Sequence, residues 1–203
     1  MDKMRKIGIN LSSINDLRST LSESLIHKHN EINELKSVGI MEHSDLLVEA
    51  FRPIIIKLCG NHIFLQRRIE INLNVPSHPG TATVPHTELM TGQSPFKTIL
   101  WIPLHDIEDD AGLFLYNHHK SLQFIEENNA FETPYDKEKL FALGNPPLRL
   151  KFGQGAMFNS FVLHASRPNT TSLARIALSI RFQNIKQTLS EKNLGYFDEY
   201  VFK

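Results

Sequence analysis

Apolar residues return at helical spacing over the first sixty positions and at strand spacing after that. Ile14, Leu17, Leu21, Leu25, Ile32 and Leu35 fall on one helical face, with Ser13 placed to cap it and Gly39 to stop it. A second helical run starts at Ser44 or Asp45 and carries Leu46, Leu47, Phe51, Ile54, Ile55 and Leu58 to Gly60; Pro53 must either kink or split it. From Ile63 the period becomes two. Ile69, Ile71 and Leu73 alternate with Arg68, Glu70, Asn72 and Asn74, and Pro76, Pro79 and Gly80 make a loop before an extended stretch from Thr81 to Glu88. Thr98 to Leu104, Leu113 to Tyr116, Leu148 to Phe152 and Ala156 to His164 read as further strands. In the last strand, Leu173 to Phe182, Arg175, Ala177, Ser179 and Arg181 share one face, and Ile176, Leu178 and Ile180 the other. Lys120 to Asn145 is polar and irregular, partly helical around Asp136 to Leu143, and has the character of a functional lid.

Helices followed by short strands, without regular β-α alternation, predict a mainly β chain with N-terminal helices, an α+β fold built on an antiparallel sandwich or barrel. A jelly roll, the double-stranded β-helix of cupins, would bring two distant strands together at its mouth. The expected layout is a single domain over 1–203: a helical part over 1–60, a jelly-roll core over 61–185 with an insertion at 120–145, and a tail over 186–203.

Charge and cysteine content narrow the function classes. Lys plus Arg equals Asp plus Glu, so the 203 residues carry no net charge with His neutral. That argues against a nucleic-acid partner held by phosphate neutralisation and against a basic membrane-binding surface. Cys59 is the only cysteine, which suits a reducing, cytoplasmic setting, where iron also stays ferrous. The basic start, Met1 to Lys6, does not run on into an apolar stretch, so no secretory leader is expected, and no apolar run is long enough to span a membrane.

Three His-x-acid triplets occur: His29-Asn30-Glu31, His43-Ser44-Asp45 and His86-Thr87-Glu88. Residues two apart diverge on a helix and project together from an extended chain, so only the third can present both groups to one metal. His164 ends a later apolar run, and Arg175 follows eleven residues on. Two imidazoles and a carboxylate on one side of a cation, with the remaining positions open, form the ligand set of non-haem iron(II) oxygenases. A permanent guanidinium nearby could pair with an anionic cosubstrate.

Four blocks carry a resemblance: Pro85-His86-Thr87-Glu88; Trp101-Ile102-Pro103-Leu104 with Gly112-Leu113; Gly155 to Asn159; and His164-Ala165-Ser166-Arg167-Pro168-Asn169 leading to Arg175. Together they resemble the phytanoyl-CoA dioxygenase-like branch of the iron(II)/2-oxoglutarate oxygenases, small bacterial members above all, over roughly Ile63 to Phe182. The resemblance implies iron ligands at His86, Glu88 and His164, with Arg175 on the distal carboxylate of 2-oxoglutarate. It implies a hydroxylase that consumes O₂ and 2-oxoglutarate, releases succinate and CO₂, and oxidises a small molecule related to sugars or secondary metabolites. The family's usual acidic ligand is Asp; here it is Glu88. Its Pro-Gly-Ser-His segment is replaced by Tyr116-Asn117-His118-His119.

Further expectations concern the surroundings. Ser179 assists the cosubstrate, and Arg68, Asn72 and Arg181 contact the substrate, with Gln66 on the same polar face. His105, His118 and His119 are flexible loop residues near the mouth. Trp101 is core, Cys59 a buried small hydrophobe, and Asn169 a turn residue. Two other functions fit the sequence. A cupin-type metalloenzyme or isomerase without 2-oxoglutarate would make Arg175 dispensable, and a non-catalytic β-sandwich binding module would bind no iron.

Overall fold

The computed structural model describes residues 14–16, 18–19, 44–108, 111–129 and 146–203. Residues 14–16, 18 and 19 are helical; the rest of the expected first helix, His29 and His43 of the other two triplets, and the expected helix at Asp136 to Leu143 lie outside the described residues. Pro53 splits the second helical run. Helix α1 spans Ser44–Ala50 and α2 spans Arg52–Cys59, with proline in the first turn of α2, where a missing N–H is harmless. Gly60, at φ 82°, ends α2 and donates its N–H to the Ile56 carbonyl.

Six strands form one antiparallel sheet: β1 (His62–Gln66), β2 (Glu70–Asn74), β3 (Thr98–Pro103), β5 (Ala156–Asn159), β7 (Arg175–Asn184) and β8 (Phe197–Val201), in the order β5-β3-β7-β1-β8. Ten-residue β7 organises it. β3 lines one side of β7 with Trp101 opposite Ser179 and Ile99 opposite Arg181. β1 and β2 line the other side in succession, β1 beside Phe182 to Asn184 and β2 beside Arg175 to Ser179. The bend at Arg67 and Arg68 separates them, and β8, which the expected tail did not include, closes the free side of β1.

The alternation of β7 decides where everything else goes. Ile176, Leu178, Ile180 and Phe182 are all fully buried in the main core, with Leu47, Val48 and Ile55 of the helices and Leu100 and Ile102 of β3. Burying each such side chain contributes roughly 1.5–3 kcal/mol, which is what seats the helices on that face. The odd-numbered residues of β7 face the other way, toward Ile99, Trp101 and Phe158.

On that second side lies a two-stranded sheet of β4 (Phe114–Leu115) and β6 (His164–Ala165). Helix α3 (His118–Asn129) packs Phe124 against Phe114, Tyr116, Leu163 and Ala165, so the described part of the expected irregular insertion, 120–129, is helical. Leu148 to Phe152, expected as a strand, supplies only a bridge from Leu150 to Ile107, and the run from Ala156 to His164 is broken by a turn into β5 and β6. The described strands are antiparallel throughout, as expected, but no sheet among them closes on itself into a barrel. No described helix is long and apolar enough to cross a membrane.

Candidate metal centre

His86 and His164 are directly opposed across an antiparallel bridge. The His86 N–H donates to the His164 carbonyl at 3.1 Å, and the His164 N–H returns the bond at 3.0 Å. Directly opposed residues project from the same face, and the two rings stand 4.2 Å apart between centroids. Thr87 is extended (φ −110°, ψ 150°), so Glu88 projects on the same side as His86. The expected strand ends there, because Glu88 opens a 3₁₀ turn running to Thr91. The potential ligand atoms of His86, Glu88 and His164 all lie within 4.8 Å of one another. A cation about 2 Å from each would draw them closer still, so the cluster has the donors, and the room to close, that a divalent metal needs.

Tautomers are set by the backbone. His86 Nδ1 lies 2.8 Å from the Val84 carbonyl and His164 Nδ1 lies 3.0 Å from the Val162 carbonyl. A carbonyl only accepts, so each Nδ1 carries the hydrogen and each Nε2 keeps the lone pair that a metal takes. Burial pushes the His164 pKa down to about 4, with His86 adding to the shift, so its imidazole is neutral near pH 7. Burial by itself would raise the Glu88 pKa, but hydrogen bonds and charge from Arg181 outweigh it and hold the carboxyl below its usual range. The cluster therefore offers a neutral imidazole from His164, a carboxylate from Glu88 and the Nε2 of His86.

Arg181, expected to contact substrate, is bound to Glu88. Its Nε donates to Oε2 at 3.2 Å and its Nη2 to Oε1 at 2.9 Å, while Nη1 sits 2.6 Å from Glu70 Oε2. Sequence reasoning had no means of finding this pairing, since Arg181 and Glu88 are 93 positions apart. On its other side Arg181 borders a cavity of about 250 Å³, lined also by Gln66, Glu70, Gln93, Lys97 and Phe197. Lys97 is fully buried, hydrogen-bonded to Gln93 and set 4.9 Å over the Phe197 ring. The sequence reading missed Glu70, Gln93 and Lys97.

Arg175 is 1% exposed, and its guanidinium sits 5.4 Å over the Trp101 ring. Its Nε and Nη1 have no hydrogen-bond partner, and burial pushes its pKa well below the usual guanidinium value, to about 10. Trp101 shares a buried apolar cluster with Phe158, whose ring lies 5.0 Å from that of His164. Arg175 is thus joined to the triad through two aromatic rings rather than by contact. Two unsatisfied, charged nitrogens in an apolar setting suit an anionic acceptor.

The remaining expected residues divide. Ser179 is buried on the Arg175 face, and its hydroxyl oxygen accepts from the Asn72 amide at 3.0 Å, which leaves the hydroxyl's own hydrogen and the Asn72 oxygen to other partners. Arg68 is exposed in the bend between β1 and β2 and does not line the cavity. His105 lies in the bend after β3 but is pinned there: it is buried, its Nε2 accepts from the Ile176 N–H at 3.1 Å, and its Nδ1 faces the Asp106 carbonyl. His118 and His119 begin α3, with His118 stacked on Phe161 at 4.6 Å.

No protein-family model matches the chain, and no curated protein matches it in sequence. Among solved structures it is similar to apo HygX from Streptomyces hygroscopicus, at 14% identity over 79% of this chain and 78% of that one, with a TM-score of 0.53. It is also similar to a non-heme monooxygenase, the ThoJ nickel complex (14% identity, 66% of this chain and 49% of that one, TM-score 0.46). A third is SnoK, a non-heme alpha ketoglutarate dependent carbocyclase from nogalamycin biosynthesis (13%, 71% and 60%, TM-score 0.48). The chain spans about half the length of ThoJ. At these identities the likeness to HygX is one of fold.

Proposed function

We propose that this chain is a non-haem iron(II) and 2-oxoglutarate-dependent oxygenase, of the phytanoyl-CoA dioxygenase-like kind, which hydroxylates a small polar molecule. The observation that carries the reading is the convergence of His86, Glu88 and His164, with both Nδ1 atoms tied to backbone carbonyls and both Nε2 atoms left to coordinate. Bound there, iron(II) with 2-oxoglutarate supplies the dioxygen chemistry, with succinate and CO₂ as by-products.

Each residue's part follows from its surroundings. His86 and His164 give lone pairs, and Glu88 gives the negative charge that offsets part of the cation's. Arg175 takes the distal carboxylate of 2-oxoglutarate through the two nitrogens the fold leaves unpaired. Trp101 and Phe158 keep water from the space between Arg175 and His164. The substrate occupies the cavity beside Arg181, whose amides, Glu70 and Lys97 suit a hydroxyl-bearing molecule rather than an acyl chain.

The test is anaerobic titration with iron(II) and then 2-oxoglutarate, followed by the weak visible charge-transfer band of the chelate. The band is expected in the wild-type chain, is lost in His164→Ala, and in Arg175→Ala needs far more 2-oxoglutarate. Metal binding without a band, unchanged by Arg175→Ala, would point to a cupin-type metalloenzyme that does not use 2-oxoglutarate. A chain that binds no metal would point to a non-catalytic binding module.

A further inference from the structure

We infer that Arg181 is a positioning residue of the metal centre: it fixes the carboxylate of Glu88 in the rotamer that faces the two imidazoles, and Glu70 fixes Arg181. The inference rests on the reading of His86, Glu88 and His164 as metal ligands and goes beyond it by assigning what holds them.

Glu88 has one more rotatable bond than the aspartate usual at such a site, and so more ways of pointing elsewhere. Both of its oxygens accept from one planar guanidinium, at 2.9 and 3.2 Å, a fork that fixes the carboxylate's plane as well as its position. Oε1 is the oxygen nearest the imidazoles, 4.0 Å from His86 Nε2, and it has a second lone pair beyond the one Arg181 uses. The guanidinium is itself immobilised. Nη1 meets Glu70 Oε2 at 2.6 Å, Glu70 Oε1 accepts from the Gln66 amide at 3.3 Å, and Gln66 Oε1 accepts the Arg181 backbone N–H at 3.0 Å. The relay closes on itself: Gln66, Glu70, Arg181, and back to Gln66 through the strand. Arg181 is 13% exposed and Glu88 6% by side chain, so little water competes for the fork between them. A partner that only recognised substrate would leave the ligand carboxylate free and face the cavity with its own donors. Here Nε and Nη2 are hydrogen-bonded to Glu88, and Nη1 forms an ion pair with Glu70 without hydrogen-bond geometry. Hydrogen-bond partners of this kind around a ligand typically set metal affinity by ten- to a hundredfold.

The experiment is titration of the full-length, metal-free chain with cobalt(II) under argon, read by its visible absorption, with folding of each variant checked by circular dichroism. Arg181→Met is expected to weaken cobalt(II) binding by roughly tenfold to a hundredfold. Arg181→Lys, which keeps a charge but loses the fork, should restore part of it, and Glu70→Gln should weaken binding by less than Arg181→Met does. Glu70 is half exposed, so that variant and Arg181→Lys carry the test if Arg181→Met fails to fold. Equal or tighter cobalt(II) binding in folded Arg181→Met overturns the inference, since Arg181 would then be idle or a competitor of the metal. So does normal binding in both Glu70→Gln and Arg181→Lys. Absence of cobalt(II) binding in the wild-type chain would be a failure of the metal-centre reading, visible before any variant is made, and it would take the inference with it.

Discussion

Replacing Arg175 by methionine separates what its guanidinium does to the ligand-free protein from what it does for a bound carboxylate. The group is 1% exposed, with Nε and Nη1 unpaired, and burial lowers its pKa from the usual guanidinium value to about 10. A depression of that size means the fold disfavours the charged form by roughly 3 kcal/mol. The sign is that of a base whose folded pKa lies below its unfolded one: the penalty is present at neutral pH and fades only as pH rises above about 10. Against it stands the contact with the Trp101 face, worth about 1–2 kcal/mol in a desolvated site. Methionine keeps most of the aliphatic stem's packing. The ligand-free variant should therefore be more stable than wild type by about 1–2 kcal/mol, by the difference of those two effects. With manganese(II) in place of iron and 2-oxoglutarate at a hundredfold excess over its dissociation constant, the wild type should gain about 2.7 kcal/mol and the variant almost nothing. Urea unfolding at neutral pH, with and without 2-oxoglutarate, measures both. A ligand-free variant less stable than wild type, or an equal gain from 2-oxoglutarate in the two proteins, refutes the reasoning.

Three other outcomes follow from the geometry. His164 has its pKa lowered from 6.5 to about 4, so the unfolded chain takes up a proton that the metal-free fold refuses; stability should fall as pH drops from about 6.5 toward 4, by at most roughly 3 kcal/mol. Urea midpoints against pH check this, and His164→Gln should flatten that part of the curve. Asn117 caps α3 by accepting the Lys120 N–H at 2.9 Å, and Asn117→Ala should lower stability by about 1 kcal/mol in thermal unfolding. At Gly112 a Cβ would collide with the Leu148 carbonyl oxygen, beside the bond from the Leu148 N–H to the Leu113 carbonyl. Gly112→Ala should therefore cost about 2–3 kcal/mol by the same assay, and a variant as stable as wild type would show that the loop gives way freely.

The sequence was most readable where one side of an element is hydrocarbon. β7 alternates fully buried apolar residues with Arg175, Ala177, Ser179 and Arg181, and its two faces were plain from the period alone. β8 escaped notice because it is an edge strand largely exposed on both sides, so Phe197 to Val201 leaves no alternation to detect. Helix α3 hides for a related reason: among its described side chains only a narrow stripe, Ser121 and Phe124, is buried, and its polar sequence resembles a loop. In the site, the nearness of His86 and Glu88 was legible because it is local. What gathers around them is not. Arg181 reaches Glu88 from 93 positions away, and His105 finds its partner at Ile176, 71 positions on. Such pairings come from strand register, which no single stretch encodes.

Asn169 and Arg175 sit six positions apart, both nearly inaccessible to solvent, and the contrast between them bears on function. The Asn169 amide donates to the carbonyls of Asn74 and Leu173, and its oxygen accepts from the Thr171 N–H and hydroxyl. It is satisfied within its own chain, ties the loop before β7 to β2, and needs nothing from outside. Arg175, with more donors and a full charge, leaves two nitrogens without an acceptor in equally deep surroundings. A guanidinium kept only to hold the fold would be expected to find carboxylates, as Arg181 does with Glu70 and Glu88. An unmet demand of this size, joined through Trp101 and Phe158 to a ring of metal-type donors, fits the proposal that an acidic cosubstrate supplies the acceptor.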